Sequence, residues 1–162
     1  MTIPAVTEKA NATLKVCHEL ISLETEGCLQ FIDLTDLLRE LVRRSGIRNG
    51  LVNIQTRHTT SAIMINENEP LLIQDLKRTL QALAPHDAAY QHDDFEIRTA
   101  NMCPDETKNG HSHCKAMFLK ASEAVNIVEG AVQLGPWQRI FFLELDRARR
   151  RTVSVVVMGQ PE

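Results

Sequence analysis

Residues 125–158, VNIVEGAVQLGPWQRIFFLELDRARRRTVSVVVM, are the strongest indication of the fold class. Short apolar runs alternate there with Gly, Pro and charged residues, a pattern typical of consecutive strands rather than helices. Glu129-Gly130 stands between two of the runs and favours a tight hairpin turn. The C-terminal third is therefore predicted to be antiparallel β structure. Four strands are predicted in it: Val125–Val128, Ala131–Leu134, Arg139–Leu145 and Thr152–Met158.

Upstream of this stretch, strands alternate with two amphipathic helices. Leucines at helical spacing follow Asp33 until Gly46, and a second such run follows Pro70 until about Leu83. The polar segment 85–110 is predicted to be mainly loop, with a short helix after it. Helices between strand pairs, followed by a hairpin-rich end, predict an α+β fold with a largely antiparallel sheet. The upstream strands are predicted at Thr13–Leu23, Leu51–Gln55 and Ser61–Ile65.

The composition limits the classes to which the chain can belong. With 162 residues, 43% hydrophobic and 24% charged, it is predicted to form one domain over residues 1–162, with residues 1–10 a flexible N-terminus. The net charge of −3 and the aromatic content of 4% argue against a nucleic-acid partner. No apolar run approaches the roughly 18 residues of a membrane span, so no membrane partner is predicted. The absence of a secretory signal and of any CxxC pair indicates a cytoplasmic protein with reduced cysteines.

Residues that carry chemistry concentrate in three clusters, in which histidine is conspicuous. The chain has six histidines, four of them between His86 and His113. The first cluster, RHTTSA at 57–62, has residue types that bind a phosphate or hold a metal-bound ligand. It leads to Glu67 and Glu69, which share one side of an extended chain and would suit paired carboxylates. The alternative for these acids is a strand end that caps the following helix.

The second and third clusters place histidines beside other polar residues. His92-Asp93 suits a metal ligand or an oriented base, although an exposed loop explains the same pair. In the third cluster a strand would turn His111 and His113 the same way, so that they could chelate together. A helix would place them about 200° apart, and only one could point at a site. The arginine-rich run at 147–151 joins two predicted strands and is predicted to be solvated.

Five motifs together resemble the YjbQ-like family, whose members are described as secondary thiamine-phosphate synthases. They are HTTSA at 58–62, INENEP at 65–70, YQHD at 90–93, NGHSHCK at 109–115 and LGPWQRI at 134–140, in the family's order over about residues 10–160. The resemblance implies a compact subunit with mixed or sandwiched sheets and flanking helices, assembled as a homotrimer. It also implies a polar pocket near the subunit boundary that binds a divalent metal ion, Zn²⁺ or Mg²⁺.

The resemblance also assigns roles to individual residues. The metal ligands that it implies are His58, His92 and His113, with His111 left open. The catalytic residues that it implies are Glu67, Glu69, Asp93 and Asn109. The substrate-binding residues that it implies are Thr59, Thr60, Ser61, Asn66, Asn68, Trp137 and Gln138. Arg57 and Lys115 are added to them as cations that could stabilise a leaving pyrophosphate.

The reaction that the resemblance implies joins a pyrimidine pyrophosphate to a thiazole phosphate, so the expected partner is a small phosphorylated substrate. Such a reaction needs cations around the leaving pyrophosphate and a pocket that aligns two substrates. Because three histidines suit Zn²⁺ better than Mg²⁺, a metal-dependent hydrolase of a phosphorylated small molecule is an alternative. A non-enzymatic trimer that binds a metal or another ligand is a third hypothesis.

Overall fold

The computed structural model describes residues 13–161. The segment 1–10, predicted to be flexible, lies outside the described residues. The helices are α1 (Thr35–Ser45), α2 (Pro70–Leu83) and α3 (Gly110–Ala116), and a 3₁₀ turn covers Gln91–Asp93. The strands are β1 (Lys15–Glu24), β2 (Gln30–Asp33), β3 (Ile47–Thr56), β4 (Ser61–Glu67), β5 (Ser122–Val128), β6 (Ala131–Val132), β7 (Gln138–Glu144) and β8 (Arg150–Pro161).

The larger of the two sheets has the strand order β1-β8-β3-β5-β6, and every pairing in it is antiparallel. The long strand β8 pairs with β1 on one side and with β3 on the other. Along β8, Val153, Val155 and Val157 are buried and alternate with more exposed residues. Because side chains alternate between the faces of a strand, one face of this sheet is apolar and faces the core.

The smaller sheet has the order β2-β7-β4 and is also antiparallel. Its central strand β7 is buried on both faces. Ile140 and Phe142 pack with the valines of β8 in a core between the sheets, whereas Phe141 and Leu143 pack on the opposite face with Leu80 of α2. The layers are therefore the larger sheet, the smaller sheet and α2. This architecture confirms the predicted α+β fold with antiparallel sheets and flanking helices.

The helices begin and end close to the residues that the sequence signals predict. Helix α1 packs Leu38 and Val42 into the core between the sheets and ends at Gly46, whose φ of +67° suits glycine at a helix terminus. Strand β2 was not predicted, because its four residues are too few to display a period. Within residues 13–161, no helix combines the length and the apolar character needed to cross a membrane.

Candidate functional site

A cleft of about 500 Å³ lies where the segment before β4, the loop before α3 and the first residues of β8 meet. His58 reaches it from the first of these, His92 from the 3₁₀ turn and His113 from α3. The structure therefore brings together three histidines that are far apart in the sequence. The other lining residues are Arg57, Thr59, Thr60, Arg98, Asn101, Glu106, Asn109, Arg149 and Arg151.

The orientation of His58 is set by the backbone of β8. Its Nε2 accepts a hydrogen bond from the N–H of Thr152 at 2.8 Å, so the proton of the neutral ring resides on Nδ1. Burial lowers the pKa of His58, and the nearby Arg151 and Arg149 guanidinium groups lower it further. His58 is therefore a neutral imidazole near pH 7 whose Nδ1–H remains as a donor.

His92 and His113 form a packed pair on the other side of the cleft. Their ring centroids are 4.6 Å apart, and the ring planes are inclined at 64° in an edge-to-face arrangement. Burial lowers the pKa of His113, and the neighbouring His92 and Arg98 lower it further. The cleft thus combines three imidazoles, of which His58 and His113 have lowered pKa values.

A buried ion pair lies beneath the cleft. Arg151 and Glu144 are only 2% and 0% exposed at their side chains, and the guanidinium contacts both carboxylate oxygens, with Nε 2.6 Å from Oε2. Nη2 of Arg151 also donates to Oγ1 of Thr60 at 2.9 Å, and the hydroxyl of Thr25 donates to Glu144 at 3.0 Å. The prediction that the arginine-rich run at 147–151 is solvated is therefore wrong for Arg151. Its alternation with Val153 along β8 is the sequence signal that places it inside.

Four arginines and one glutamate line the cleft, and the charge of Arg151 is neutralised by Glu144. Arg98 lies 3.2 Å from Glu106, and Arg149 lies 3.0 Å from Asp146. Arg149 keeps further N–H groups, since a guanidinium carries five donors. Arg98 also donates to the carbonyls of His92, Ala100 and Asn101, which leaves it one N–H group. Arg57 is exposed at the rim. The arrangement suits an anionic ligand, and guanidinium groups match the geometry of phosphate oxygens.

Asp93 and Asn109 are joined by a hydrogen bond that docks the loop on α3. Oδ1 of Asp93 accepts from the backbone N–H of Asn109 at 2.9 Å and from that of Gly110 at 2.8 Å. Asp93 therefore positions the 3₁₀ turn, and His92 with it, against α3. The structure gives this carboxylate a positioning role beside the cleft, where a catalytic role was expected.

Six of the expected site residues lie at the far end of the smaller sheet. Ser61 pairs with Glu144 beside the cleft, whereas Glu67 pairs with Gln138 at the other end of the same two strands. Six residues of strand separate the two ends by roughly 20 Å. The structure therefore does not bring these side chains to the histidines of the same chain. The six are Asn66, Glu67, Asn68, Glu69, Trp137 and Gln138.

Local contacts explain several of these polar residues. The carboxylate of Glu69 accepts from the N–H groups of Leu71 at 2.9 Å and Leu72 at 2.7 Å, so Glu69 caps α2. Asn68 donates to Asp33 at 3.0 Å, and Gln138 accepts from the N–H of Gly135 at 2.8 Å. The capping alternative is thus the observed role of Glu69, where the expected role was catalytic. These bonds fix the turns at that end of the sheet.

The remaining polar residues of the first cluster are buried or bonded within the chain. Asn66 accepts from the N–H of Glu67, and the hydroxyl of Ser61 is hydrogen-bonded to that of Thr56. Thr60 is buried and holds Arg151. Of the expected substrate-binding residues, Arg57 and Thr59 are exposed at the cleft.

Lys115 is fully buried and points away from the cleft. Its Nζ donates to the carbonyl of Ala84 at 2.6 Å and contacts Nδ1 of His111 at 3.1 Å, and burial lowers its pKa. His111 and Lys115 are four residues apart on α3 and share a face, whereas His113 is on the opposite face. The helical alternative for the two histidines is observed: His113 lines the cleft, and His111 lines a separate pocket with His86. Lys115, expected to bind substrate, therefore has no access to the cleft.

The three histidines do not form a ready three-ligand metal site. Nε2 of His58 is engaged by the N–H of Thr152, which leaves only Nδ1. Throughout residues 13–161, no group of three or more His, Cys, Asp or Glu side chains has an arrangement that could hold a metal ion. Arginines at the cleft further disfavour a cation there. His92 and His113 lie close enough together that one ion could bind both of them.

Comparison with known proteins places the chain among a set of similar sequences. A family model described as UPF0047 protein YjbQ-like matches residues 19–160. The UPF0047 protein of Methanothermobacter thermautotrophicus is 37% identical over 153 residues, which cover 94% of this chain and 99% of that protein. The UPF0047 protein YugU of Bacillus subtilis is 30% identical, over 86% of this chain and 97% of that one.

Solved structures extend the similarity to three dimensions. A YbjQ-like protein of unknown function from Sulfolobus solfataricus P2 superimposes with a TM-score of 0.80 at 29% identity, covering 91% of this chain and 100% of that one. An uncharacterised protein of the yjbq/upf0047 family from Clostridium acetobutylicum gives a TM-score of 0.72 at 33% identity, covering 85% and 97%. The similarity therefore covers nearly the whole fold.

Removal of Arg151 is expected to destabilise the fold strongly. Arg151→Ala leaves Glu144 buried without its partner, which costs about 3–5 kcal/mol for an uncompensated buried charge. Arg150→Ala is the matched control, because its exposed side chain has only a distant contact with Glu24 at 3.7 Å. Urea denaturation followed by circular dichroism measures both. A similar loss of stability in the two variants would contradict the role given to the buried pair.

Proposed function

This chain belongs to the YjbQ-like UPF0047 family, and we propose that it is an enzyme that acts on a phosphorylated small molecule in the histidine- and arginine-lined cleft. One observation carries the proposal: neutral imidazoles and arginines from distant parts of the sequence converge on one cleft. Imidazoles transfer protons near pH 7, and guanidinium groups stabilise phosphate charge.

Each group has a separate task in this proposal. Arg57 and Arg149 are the exposed arginines of the cleft and hold the phosphate oxygens of the substrate. His58 donates from Nδ1, because its Nε2 already accepts from the N–H of Thr152. His113 moves a proton to or from the reacting group, since its lowered pKa leaves the ring unprotonated, and so able to accept a proton, at pH 7.

The first candidate reaction is the thiamine-phosphate synthase type that the family resemblance implies. The thiazole nitrogen would displace pyrophosphate from the pyrimidine substrate, and the arginines would stabilise the negative charge on the leaving group. The cleft volume of about 500 Å³ is of the size that small-molecule sites have, and it adjoins a second pocket that shares Arg57, His58 and Thr59. Two substrates aligned in one site would gain the advantage of proximity.

A second candidate is hydrolysis of a phosphorylated small molecule. The packed His92–His113 pair favours it, because hydrolysis requires a base that activates water beside a group that protonates the leaving oxygen. The same arginines would bind the phosphate in both reactions. A ligand-binding role without turnover is distinguished by saturable phosphate binding in the absence of any product.

Purified protein is expected to form thiamine phosphate from the two substrates, and His113→Ala is expected to lower the rate by about 100-fold or more, as for loss of a general acid–base. Arg78→Ala, on the exposed surface of α2, is the control and should retain the rate. Thiamine phosphate is quantified by chromatography with and without Mg²⁺, Mn²⁺ or Zn²⁺. Release of inorganic phosphate from a panel of phosphate esters, without thiamine phosphate, would select the hydrolase. The absence of turnover in both assays would contradict an enzymatic function.

A divalent ion at His58, His92 and His113 stays a prediction from the resemblance. If the ion is present, elemental analysis of purified protein should find about one equivalent per chain. His92→Ala and His113→Ala should each lower the bound metal, since imidazole nitrogen is a common ligand of Zn²⁺. His86→Ala is the control, because His86 lies at the other pocket. If none of these variants changes the metal content, the ion does not bind in this cleft.

The proposed homotrimer is supported by the outer face of the larger sheet. Val16, Met158 and Leu51 are neighbours across β1, β8 and β3 and are 57%, 39% and 40% exposed. A contiguous exposed apolar row favours burial against another copy of the chain. Sedimentation equilibrium should give a mass close to three times 18.3 kDa, and Leu51→Lys should lower it. A mass of one chain for the unmodified protein would reject the trimer.

A further inference from the structure

Asn109 occupies the N-cap position of α3 without capping it. An N-cap asparagine ordinarily accepts a hydrogen bond from an N–H of the first helical turn through its side-chain oxygen. The side chain of Asn109 makes no such bond. Asp93 supplies the carboxylate instead, accepting from the N–H groups of Asn109 and Gly110. The side-chain amide of Asn109 is therefore not needed to cap α3.

The amide oxygen of Asn109 is buried and has no partner among the described residues. Asn109 is 8% exposed, and its Oδ1 accepts no hydrogen bond from residues 13–161. Nε2 of His92 is likewise buried and unpaired within the same part of the chain. Both residues line the cleft. Buried polar atoms without a partner are rare and destabilising, so two of them in one cleft indicate that a bound molecule supplies the missing bonds.

The chemistry of these atoms limits what that molecule presents to them. An amide oxygen accepts only, so its partner is an N–H or O–H donor or a cation. A cation is disfavoured by the guanidinium groups of Arg57, Arg98 and Arg149, which line the same cleft. A neutral N–H or O–H group meets the requirement without electrostatic repulsion, and an NH₂ group differs from a hydroxyl in that it can donate two hydrogen bonds. An amide or amino nitrogen beside a second polar atom would satisfy Oδ1 of Asn109 and Nε2 of His92 together.

We infer that Asn109 and His92 recognise a neutral amide or amino group on the phosphorylated substrate. The inference rests on the proposed function for the anionic end of the substrate, which the arginines hold. The substrate class is thus a small molecule with a phosphate at one end and an N–H donor at the other. Asn109 is a specificity-determining residue for the N–H group, and Asp93 is the positioning residue that leaves it free.

Two matched probes test the inference without knowledge of the natural substrate. Phosphonoacetamide and methyl phosphonoacetate share a skeleton and a phosphonate, and they differ in whether an NH₂ or an OCH₃ group is attached to the carbonyl. NMR titration of the full-length protein measures both dissociation constants. We expect the amide to bind about tenfold more tightly, the effect of one hydrogen bond to a buried acceptor. Because both probes carry the same phosphonate, its contribution to binding cancels in the ratio of the two dissociation constants.

Variants assign the discrimination to Asn109. Asn109→Ala should abolish the preference for the amide, whereas Asn109→Asp, which keeps an acceptor oxygen, should retain it. His92→Phe keeps an aromatic ring against His113 and removes Nε2, so it should weaken the preference, and it provides a second test if Asn109→Ala fails to fold. Rescue by the aspartate would not follow from a purely structural role for Asn109.

The possible failures are distinguishable from one another. Equal binding of the two probes by the unmodified protein would overturn the inference and assign the unpaired atoms to bound water. A stoichiometric metal ion that is lost in both Asn109→Ala and His92→Phe would also overturn it. Inorganic pyrophosphate serves as the separate test of the proposed function. If pyrophosphate binds but the two phosphonates are not discriminated, only the inference about the N–H group fails.

Discussion

The ion pair between Arg151 and Glu144 joins the two sheets at the end of the core where the cleft lies. Glu144 is the last residue of β7 in the smaller sheet, and Arg151 is the second residue of β8 in the larger one. Removal of both charges from water costs several kcal/mol per ion, so the pair is tolerable only when every lone pair and N–H finds a partner. The hydroxyls of Thr25 and Thr60 and the backbone N–H of Asp146 supply further hydrogen bonds to the pair. The position of Thr60, and of the segment that carries His58, follows from this requirement.

The alternation that builds the apolar core also directs this pair inward. Arg151 is in phase with Val153 and Val155 along β8, and Glu144 is in phase with Phe142 along β7. Each strand therefore presents apolar side chains to the middle of the core and one charge to its end. Because the charges neutralise each other, Arg151 contributes to the rigidity of the cleft floor more than to its capacity for anions. The exposed Arg57 and Arg149 carry that capacity.

Much of the fold follows from periodicity in the sequence, and the limits of that reasoning are physical. Helices α1 and α2 have clear apolar stripes, and the long strands display a period of two, whereas β2 is too short to do so. The convergence of His58, His92 and His113 on one cleft was predicted from the resemblance of their motifs to the YjbQ-like family. Such a resemblance carries information about the folded arrangement that local patterns lack. The distance between Glu67 and the cleft could not be predicted, because it depends on the register between β4 and β7. Register is set by pairing, which local patterns do not encode.

The short helix α3 shows why a single motif need not have a single role. Seven residues make about two turns, so the motif at 109–115 divides between two sides of the helix. Asn109 and His113 line the cleft, whereas His111 and Lys115 contact each other behind it. Lys115 is buried and has no carboxylate partner among residues 13–161, so it affects the cleft through the packing of the helix that carries His113. Substitutions at Lys115 therefore disturb the site by moving α3, and their effect on a ligand is indirect even though the residue lies two positions from a cleft histidine.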